Sequence, residues 1–402
     1  MASWERFHNL CKEGKVKAAW AVENGIGEAV MKMSFGNEIG FKASVELDNW
    51  HNTMMYDFIV AELEQEVELK GVMKIGETTK EAEIDLGGDK ATIAELLSLN
   101  EAVLEGVFAT DAPCKESEVP TFNYDKRENL APAVKVARPK VLIPVFPGTN
   151  CEYDSAKAVE NAGGEADIVV IRNLTSEDVS RSIEVVTKKI SDSQMIFIPG
   201  GFSGGDEPDG SAKFITSFFR NPSIKEQVAN LLDNRDGLMC GICNGFQALI
   251  KLGLVPYGKI IDTDDNCPTL TYNIIGRHQS KIVRTRICTN KSPWLANTNV
   301  GDIYNVPISH GEGRFLASEE LIKKLAENGQ IATQYVDLKG VPSMDTDFNP
   351  NGSVCAIEGI TSPDGRVFGK MGHSERIGTG LYKNVPGEYD IRMFEAAVRY
   401  FK

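Results

Sequence analysis

The chain has 402 residues, 42% apolar and 25% charged, with 37 Gly and 17 Pro. This composition excludes disordered, collagen-like and coiled-coil classes and, at roughly 100 to 200 residues per domain, predicts two or three domains. The formal charge of −14 repels phosphate backbones and anionic lipid, so neither nucleic acid nor a membrane is expected as a partner.

The negative charge is concentrated early, since residues 1–130 carry 25 acidic and 13 basic side chains. Within this part, residues 15–33 and 92–108 place apolar side chains at helical spacing, while 40–47 and 81–86 alternate as half-buried strands do. A small α+β domain is expected over residues 1–110. Residues 111–138 are rich in Pro and Ala without a helical or strand period, which predicts a linker.

From residue 139 the pattern changes to continuous apolar runs at 141–146, 168–171, 195–198 and 238–242, read as strands buried on both faces. Amphipathic segments lie between them, one closed by Gly163-Gly164 and one opened by a capping box at Thr175-Ser-Glu-Asp178. Repeated β-α-β units of this kind predict an α/β domain over 139–402. Its sheet should be doubly wound and mostly parallel, with chemistry at the C-terminal strand ends. No stretch approaches the roughly 20 apolar residues of a membrane span, and the first residues have no signal-peptide core. The eight cysteines are scattered through a long chain. A cytoplasmic protein with reduced thiols is expected.

The run at 238–242 leads through Gly241-Ile-Cys-Asn-Gly245 into an apolar helix ending at Gly253. A strand, a sharp turn and a helix place Cys243 at a helix N-terminus, where free N–H groups and the helix dipole favour a thiolate and can hold an oxyanion. The bland alternative is a buried cysteine in a tight turn. Cys240 and Cys243 also spell C-x-x-C, but no second pair exists, so zinc and redox chemistry are not expected. Cys240 should point into the sheet and Cys243 out of it.

A thiolate needs a proton shuttle, and there are five histidines. His310 and His373 stand in small-residue turns after expected strands. In His373-Ser-Glu375 the carboxylate can orient the imidazole and stabilise its cation. Pro199-Gly-Gly201 lacks the spacing of a phosphate loop; its diglycine either supplies a second oxyanion donor at Gly201 or is a flexible turn.

These segments resemble the class I, triad-type glutamine amidotransferase family: Gly-x-Cys-x-Gly-x-Gln at Gly241 to Gln247, Pro-Gly-Gly at Pro199 to Gly201, and His-x-Glu at His373 to Glu375. Four stretches, Phe146 to Asp154, Gly201 to Asp206, Gly241 to Gln247 and His310 to Phe315, are similar in order and spacing to the glutaminase parts of the phosphoribosylformylglycinamidine synthases of purine biosynthesis. One position departs: family members usually carry His-Pro-Glu, and this chain has Ser374 in the middle.

The resemblance implies a flavodoxin-like class I glutaminase fold with Cys243, His373 and Glu375 catalytic. It places Gly201 and Asn244 at an oxyanion hole and Gln247, His310 and Gly311 near the glutamine pocket, with no metal. Ammonia from glutamine would pass to a synthetase that makes formylglycinamidine ribonucleotide. ATP and Mg are expected only in that synthetase. Residues 1–110 resemble more loosely the end of its large single-chain form, so the remainder, on the same longer chain or on a separate subunit, is the expected partner. The alternatives are a noncatalytic regulatory or scaffold module, or another cysteine hydrolase on the same fold.

Overall fold

The computed structural model describes residues 2–47, 50–51, 54–68, 70–112, 118–127, 131–203, 211–382 and 385–402. The chain divides into two compact units, Met1–Thr110 and Asp111–Lys402.

In the first unit, helix Ala2–Lys12 precedes strand Val16–Ala21, which pairs antiparallel with Ile59–Leu63. A four-stranded sheet joins Gly76–Thr79, Gly40–Ala43, Glu83–Asp85 and Lys90–Thr92 in that order. Its core gathers Val22, Ile26, Ala29, Val30, Phe41, Trp50, Ile84 and Ile93. One helix expected over 15–33 is instead a strand followed by helix Ile26–Ser34. Gly25, at φ 123°, breaks the helical path, and pairing with Ile59–Leu63 satisfies the upstream backbone. Thr92 caps helix Ile93–Ala102 in a reciprocal box with Glu95, the arrangement that satisfies two orphan N-terminal donors.

The second unit contains β1 (Lys140–Val145), α1 (Glu152–Asn161), β2 (Glu165–Val170), α2 (Ser176–Asp192), β3 (Met195–Ile198), β4 (Leu238–Ile242), α3 (Asn244–Leu252), β5 (Gln279–Ile287), β6 (Ile303–His310), β7 (Ile331–Val336), β8 (Ile357–Thr361) and β9 (Val367–Lys370). The nine strands form one sheet in the order β6-β5-β7-β8-β9-β4-β3-β1-β2. Strands β2, β1, β3, β4 and β9 run parallel. This is the expected doubly wound α/β class, and its 2-1-3-4 order is flavodoxin-like, with the winding switch between β1 and β3. Strands β8, β7, β5 and β6 extend the sheet antiparallel from β9.

Every residue of β3, β4 and β9 is buried, as apolar strands covered by helices on both faces must be. Strand β2 corrects the expectation of full burial: it lies at the sheet edge, and Ile168 and Val170 face solvent. Part of the segment read as a linker lies along the second unit. The Tyr124 N–H donates to Cys288 O at 2.9 Å, and Gln334 both accepts from Phe122 N and donates to Pro120 O. Residues 113–117 and 128–130 of that segment lie outside the described residues.

Candidate active site

Strand β4 ends at Ile242 and helix α3 starts at Asn244, so Cys243 makes the whole turn. Its φ of 52° and ψ of −108° are a strained backbone for a side chain with a Cβ. The turn holds because its surroundings leave no alternative. The Cys243 N–H donates to Lys370 O at 2.9 Å, and Gln247 N donates to Cys243 O at 3.0 Å. A Cβ on Gly245 would lie 2.0 Å from Ile198 O, and one on Gly241 would lie 2.5 Å from the Gly245 carbonyl. Both glycines therefore answer a need for close backbone approach.

Cys240 is wholly buried in β4, as expected of a core cysteine, and burial pushes its thiol well above the ordinary value. Cys243 is only 3% exposed. The expectation that it points out of the sheet within reach of solvent is corrected here: its side chain is covered, beside Gly200, His373 and the Ser309 carbonyl. Its Sγ lies 3.8 Å from that carbonyl.

His373 and Glu375 follow β9, the neighbour of β4. His373 Nδ1 lies 2.6 Å from Glu375 Oε1, with both side chains buried. Burial opposes charge on the ring. The Glu375 carboxylate, with hydrogen bonds to Cys151, Cys243 and Glu375, overrides it and holds the imidazolium well above its usual range. In turn, burial would raise Glu375, but the charge and hydrogen bond of His373 keep it low. The pair is therefore an ion pair.

Gly200, after β3, is the point where these groups meet. A Cβ placed on it would lie 2.7 Å from His373 Cε1 and 3.3 Å from both Cys151 Sγ and Cys243 Cβ. Gly201, at φ 137°, bridges to Thr149, and Asn244 is the first residue of α3, whose N–H has no intrahelical partner. The rest of the stretch after Ser203, through Asp206, lies outside the described residues.

Of the residues expected near a glutamine pocket, Gln247 lies in the first turn of α3 and His310 and Gly311 at the end of β6. Gln247 is buried, accepting from Asn244 Nδ2 at 2.8 Å and donating to Glu312 O at 2.7 Å. His310 corrects the expectation of a turn: it is the last residue of β6 and 1% exposed. Burial, then the charges of His373 and His278, push its pKa down to about 3, so it is neutral near pH 7. Asn273 Nδ2 donates to Arg277 O and His310 O, leaving its Oδ1 to accept from His310 Nδ1 at 3.0 Å. That tautomer makes Nε2 an acceptor, and this buried atom has no partner among the described residues. Gly311 O accepts from Asn273 N.

Three further side chains stand here: Cys151 and Glu312, from the Phe146 to Asp154 and His310 to Phe315 stretches, and Arg376, which follows the His-x-Glu segment. Cys151, the N-cap of α1, has its Sγ 2.9 Å from Arg376 Nη2 and 3.8 Å from His373 Nδ1. Glu312 accepts from Ser211 N through Oε2, while its buried Oε1 has no partner among the described residues. The signal for Cys151 was its place at the end of β1, beside the winding switch; for Arg376 and Glu312 it was adjacency to Glu375 and Gly311. The ligand atoms of Cys151, His373 and Glu375 lie within 4.8 Å of one another. The imidazolium and the Arg376 guanidinium already supply positive charge there, so a metal cation would meet repulsion.

Residues 138–401 match the model of the CobB/CobQ-like glutamine amidotransferase domain. The phosphoribosylformylglycinamidine synthase subunit PurQ of Methanococcus maripaludis (strain S2) is 34% identical over 255 residues, covering 63% of this chain and 87% of the relative. The protein of the same name from Aquifex aeolicus is 34% identical over 239 residues, 59% of this chain and 90% of the relative. The solved structure of PurLQS from Thermotoga maritima has a chain 26% identical, matching 66% of this chain and 100% of its own, with a TM-score of 0.47.

Proposed function

Because this chain belongs to the CobB/CobQ-like glutamine amidotransferase family, we propose that Cys243, His373 and Glu375 hydrolyse the side-chain amide of glutamine. The observation that carries this reading is the convergence of a strained cysteine turn and a buried imidazolium–carboxylate pair on one glycine, Gly200. Cys243 sulfur attacks the amide carbon, its proton resting on His373. The tetrahedral oxyanion takes hydrogen bonds from the N–H groups of Asn244 and the Gly201 region, each worth about 3 to 4 kcal/mol in sites of this kind. His373 gives its proton to the leaving ammonia and then takes one from the water that cleaves the glutamyl thioester, while Glu375 holds the ring.

In this reading Glu312 Oε1 accepts from the glutamine α-ammonium, and the lone pair on His310 Nε2 takes a further substrate donor. Gln247 and Gly311 shape the same pocket. The relatives are named as subunits of phosphoribosylformylglycinamidine synthase. By that likeness the ammonia serves an ATP- and Mg-dependent synthetase partner that makes formylglycinamidine ribonucleotide in purine biosynthesis.

The test is mass spectrometry of the full chain after a glutamine-mimicking electrophile, with glutamine hydrolysis measured in the presence of the synthetase partner. A single adduct on Cys243, and loss of hydrolysis by at least about a thousandfold in Cys243→Ala, are expected. An adduct on another cysteine, or activity retained by the alanine variant, overturns the reading.

A further inference from the structure

A lysine ammonium taken out of water is stable only with a counter-charge and further acceptors. Lys370, the last residue of β9, is 1% exposed and stands 3.3 Å from Glu358 of β8, which is itself fully buried. Its Nζ also donates to Gly372 O and to Ser374 Oγ, each at 3.0 Å. Glu358 Oε1 accepts from Gly372 N at 2.6 Å, and its Oε2 accepts from the Thr333 hydroxyl. The two charged side chains therefore grip the residues on either side of His373, whose own N–H is bound to Pro307 O at 2.9 Å. The backbone carbonyl of the same lysine accepts from Cys243 N. Lys370 thus touches both halves of the site: the nucleophile turn through its main chain and the imidazole loop through its side chain.

We infer that Lys370, braced by Glu358, is a positioning residue that locks the 372–375 loop to the cysteine turn through the Ser374 hydroxyl. This rests on the reading of Cys243, His373 and Glu375 as the reacting set. The physical need is specific. The Glu375 carboxylate reaches His373 from two residues along a short loop, so rotation at residue 374 swings it away from the ring. A hydrogen bond from a buried ammonium to the residue 374 side chain blocks that rotation. A proline blocks it covalently by fixing φ near −65°; residue 374 is not among the positive-φ positions, and the proline gives up only the Ser374 N–H bond to Gly372 O at 3.1 Å.

The test uses the full chain carrying Ser374→Ala, Ser374→Pro or Cys243→Ala. It measures the rate of Cys243 alkylation by the glutamine-mimicking electrophile against pH, with thermal melting as the check on folding. Among the described residues, the groups around the imidazole are Glu375 on its own loop, with Arg376 reaching Cys151 and Glu375, Cys151 at the start of α1, Cys243 at the start of α3, His310 at the end of β6, and Tyr382. With the carboxylate less well held, the Ser374→Ala imidazolium gives up its proton more easily. Its limb of the profile should move to lower pH by about half a unit, with the neutral-pH rate down severalfold. Ser374→Pro should restore both to near the wild type.

A Ser374→Ala profile that superposes on the wild type, or a Ser374→Pro variant as impaired as the alanine, overturns the positioning role. Should Ser374→Ala fail to fold, Ser374→Thr, which keeps the hydroxyl, and Ser374→Val, which replaces it by a methyl, decide instead: labelling kept in the first and impaired in the second supports the role, and equal labelling overturns it. Labelling that survives Cys243→Ala strikes the underlying reading instead, so the two failures are distinguishable.

Discussion

The sulfur, the imidazole and the carboxylate are each ordinary groups made unusual by where they are held. Glu375→Gln separates the charge of the third residue from its shape. Without the carboxylate, burial is left to act on His373, and its pKa should fall from its raised position toward or below the ordinary value of about 6.5. Glutamine hydrolysis should drop about 10³- to 10⁴-fold, with the imidazolium limb of the pH profile displaced to lower pH. A profile unchanged in position would show that Glu375 does not set the charge of the ring. His310 is the contrasting case. Two imidazoles share one site, and the one without a carboxylate partner is forced neutral while the one with Glu375 is held charged.

At the level of elements, the site is a junction of four strand ends. Strand β4 delivers Cys243, β9 delivers His373 and Glu375, β3 delivers Gly200, and β1 delivers Cys151 at the start of α1. Parallel strands side by side bring these ends to one edge of the sheet, and the glycines let the turns touch. Gly245→Ala puts a methyl where Ile198 O already stands, 2.0 Å away. Main chain yields less readily than a side chain, so a loss of about 2 kcal/mol or more and a melting temperature several degrees lower are expected. Calorimetry that finds the variant as stable as the wild type would show that the α3 turn is looser than its packing indicates.

For the whole molecule, pH exposes the cost of burying a neutral histidine. The folded pKa of His310 lies below its unfolded value, so the unfolded chain binds the proton first, and stability declines as pH falls from about 6.5 toward 3. The His373–Glu375 pair has the opposite sign for its histidine. That contribution is fully present below pH 6.5 and is lost as pH rises from there through the raised folded value; the Glu375 part is lost as pH falls from about 4.5 through its lowered folded value. Between pH 6.5 and 5, therefore, His310 dominates among these groups, at about 1.4 kcal/mol per unit of pH or roughly 2 kcal/mol across the interval. Denaturant midpoints over that range should slope for the wild type and flatten in His310→Asn. Equal slopes would reject the assignment. The separate cores of the two units also predict that residues 111–402 fold alone with a cooperative transition. A molten, dye-binding product would contradict that.

Much of this protein is written locally. Apolar runs with β-α-β spacing specify the doubly wound sheet, because a strand covered on both faces has no room for polar side chains. The small residues around Cys243 mark the turn, because only glycine fits where backbones touch. Local pattern fails where the deciding contact is distant. Residues 16–21 carry apolar spacing that suits a helix, and only pairing with Ile59–Leu63 makes them a strand. Val170 belongs to an apolar run, and only its edge position leaves it in water. Cys243 was legible as the candidate nucleophile but not as a nearly buried side chain, since His373, Cys151 and Gly200 lie against it from 130, 92 and 43 residues away. Residue type and spacing settle which chemistry is available at a strand end. Folding alone decides which imidazole is charged, which thiol is covered and which lysine braces the loop, because those depend on burial and on fields from groups remote in the chain.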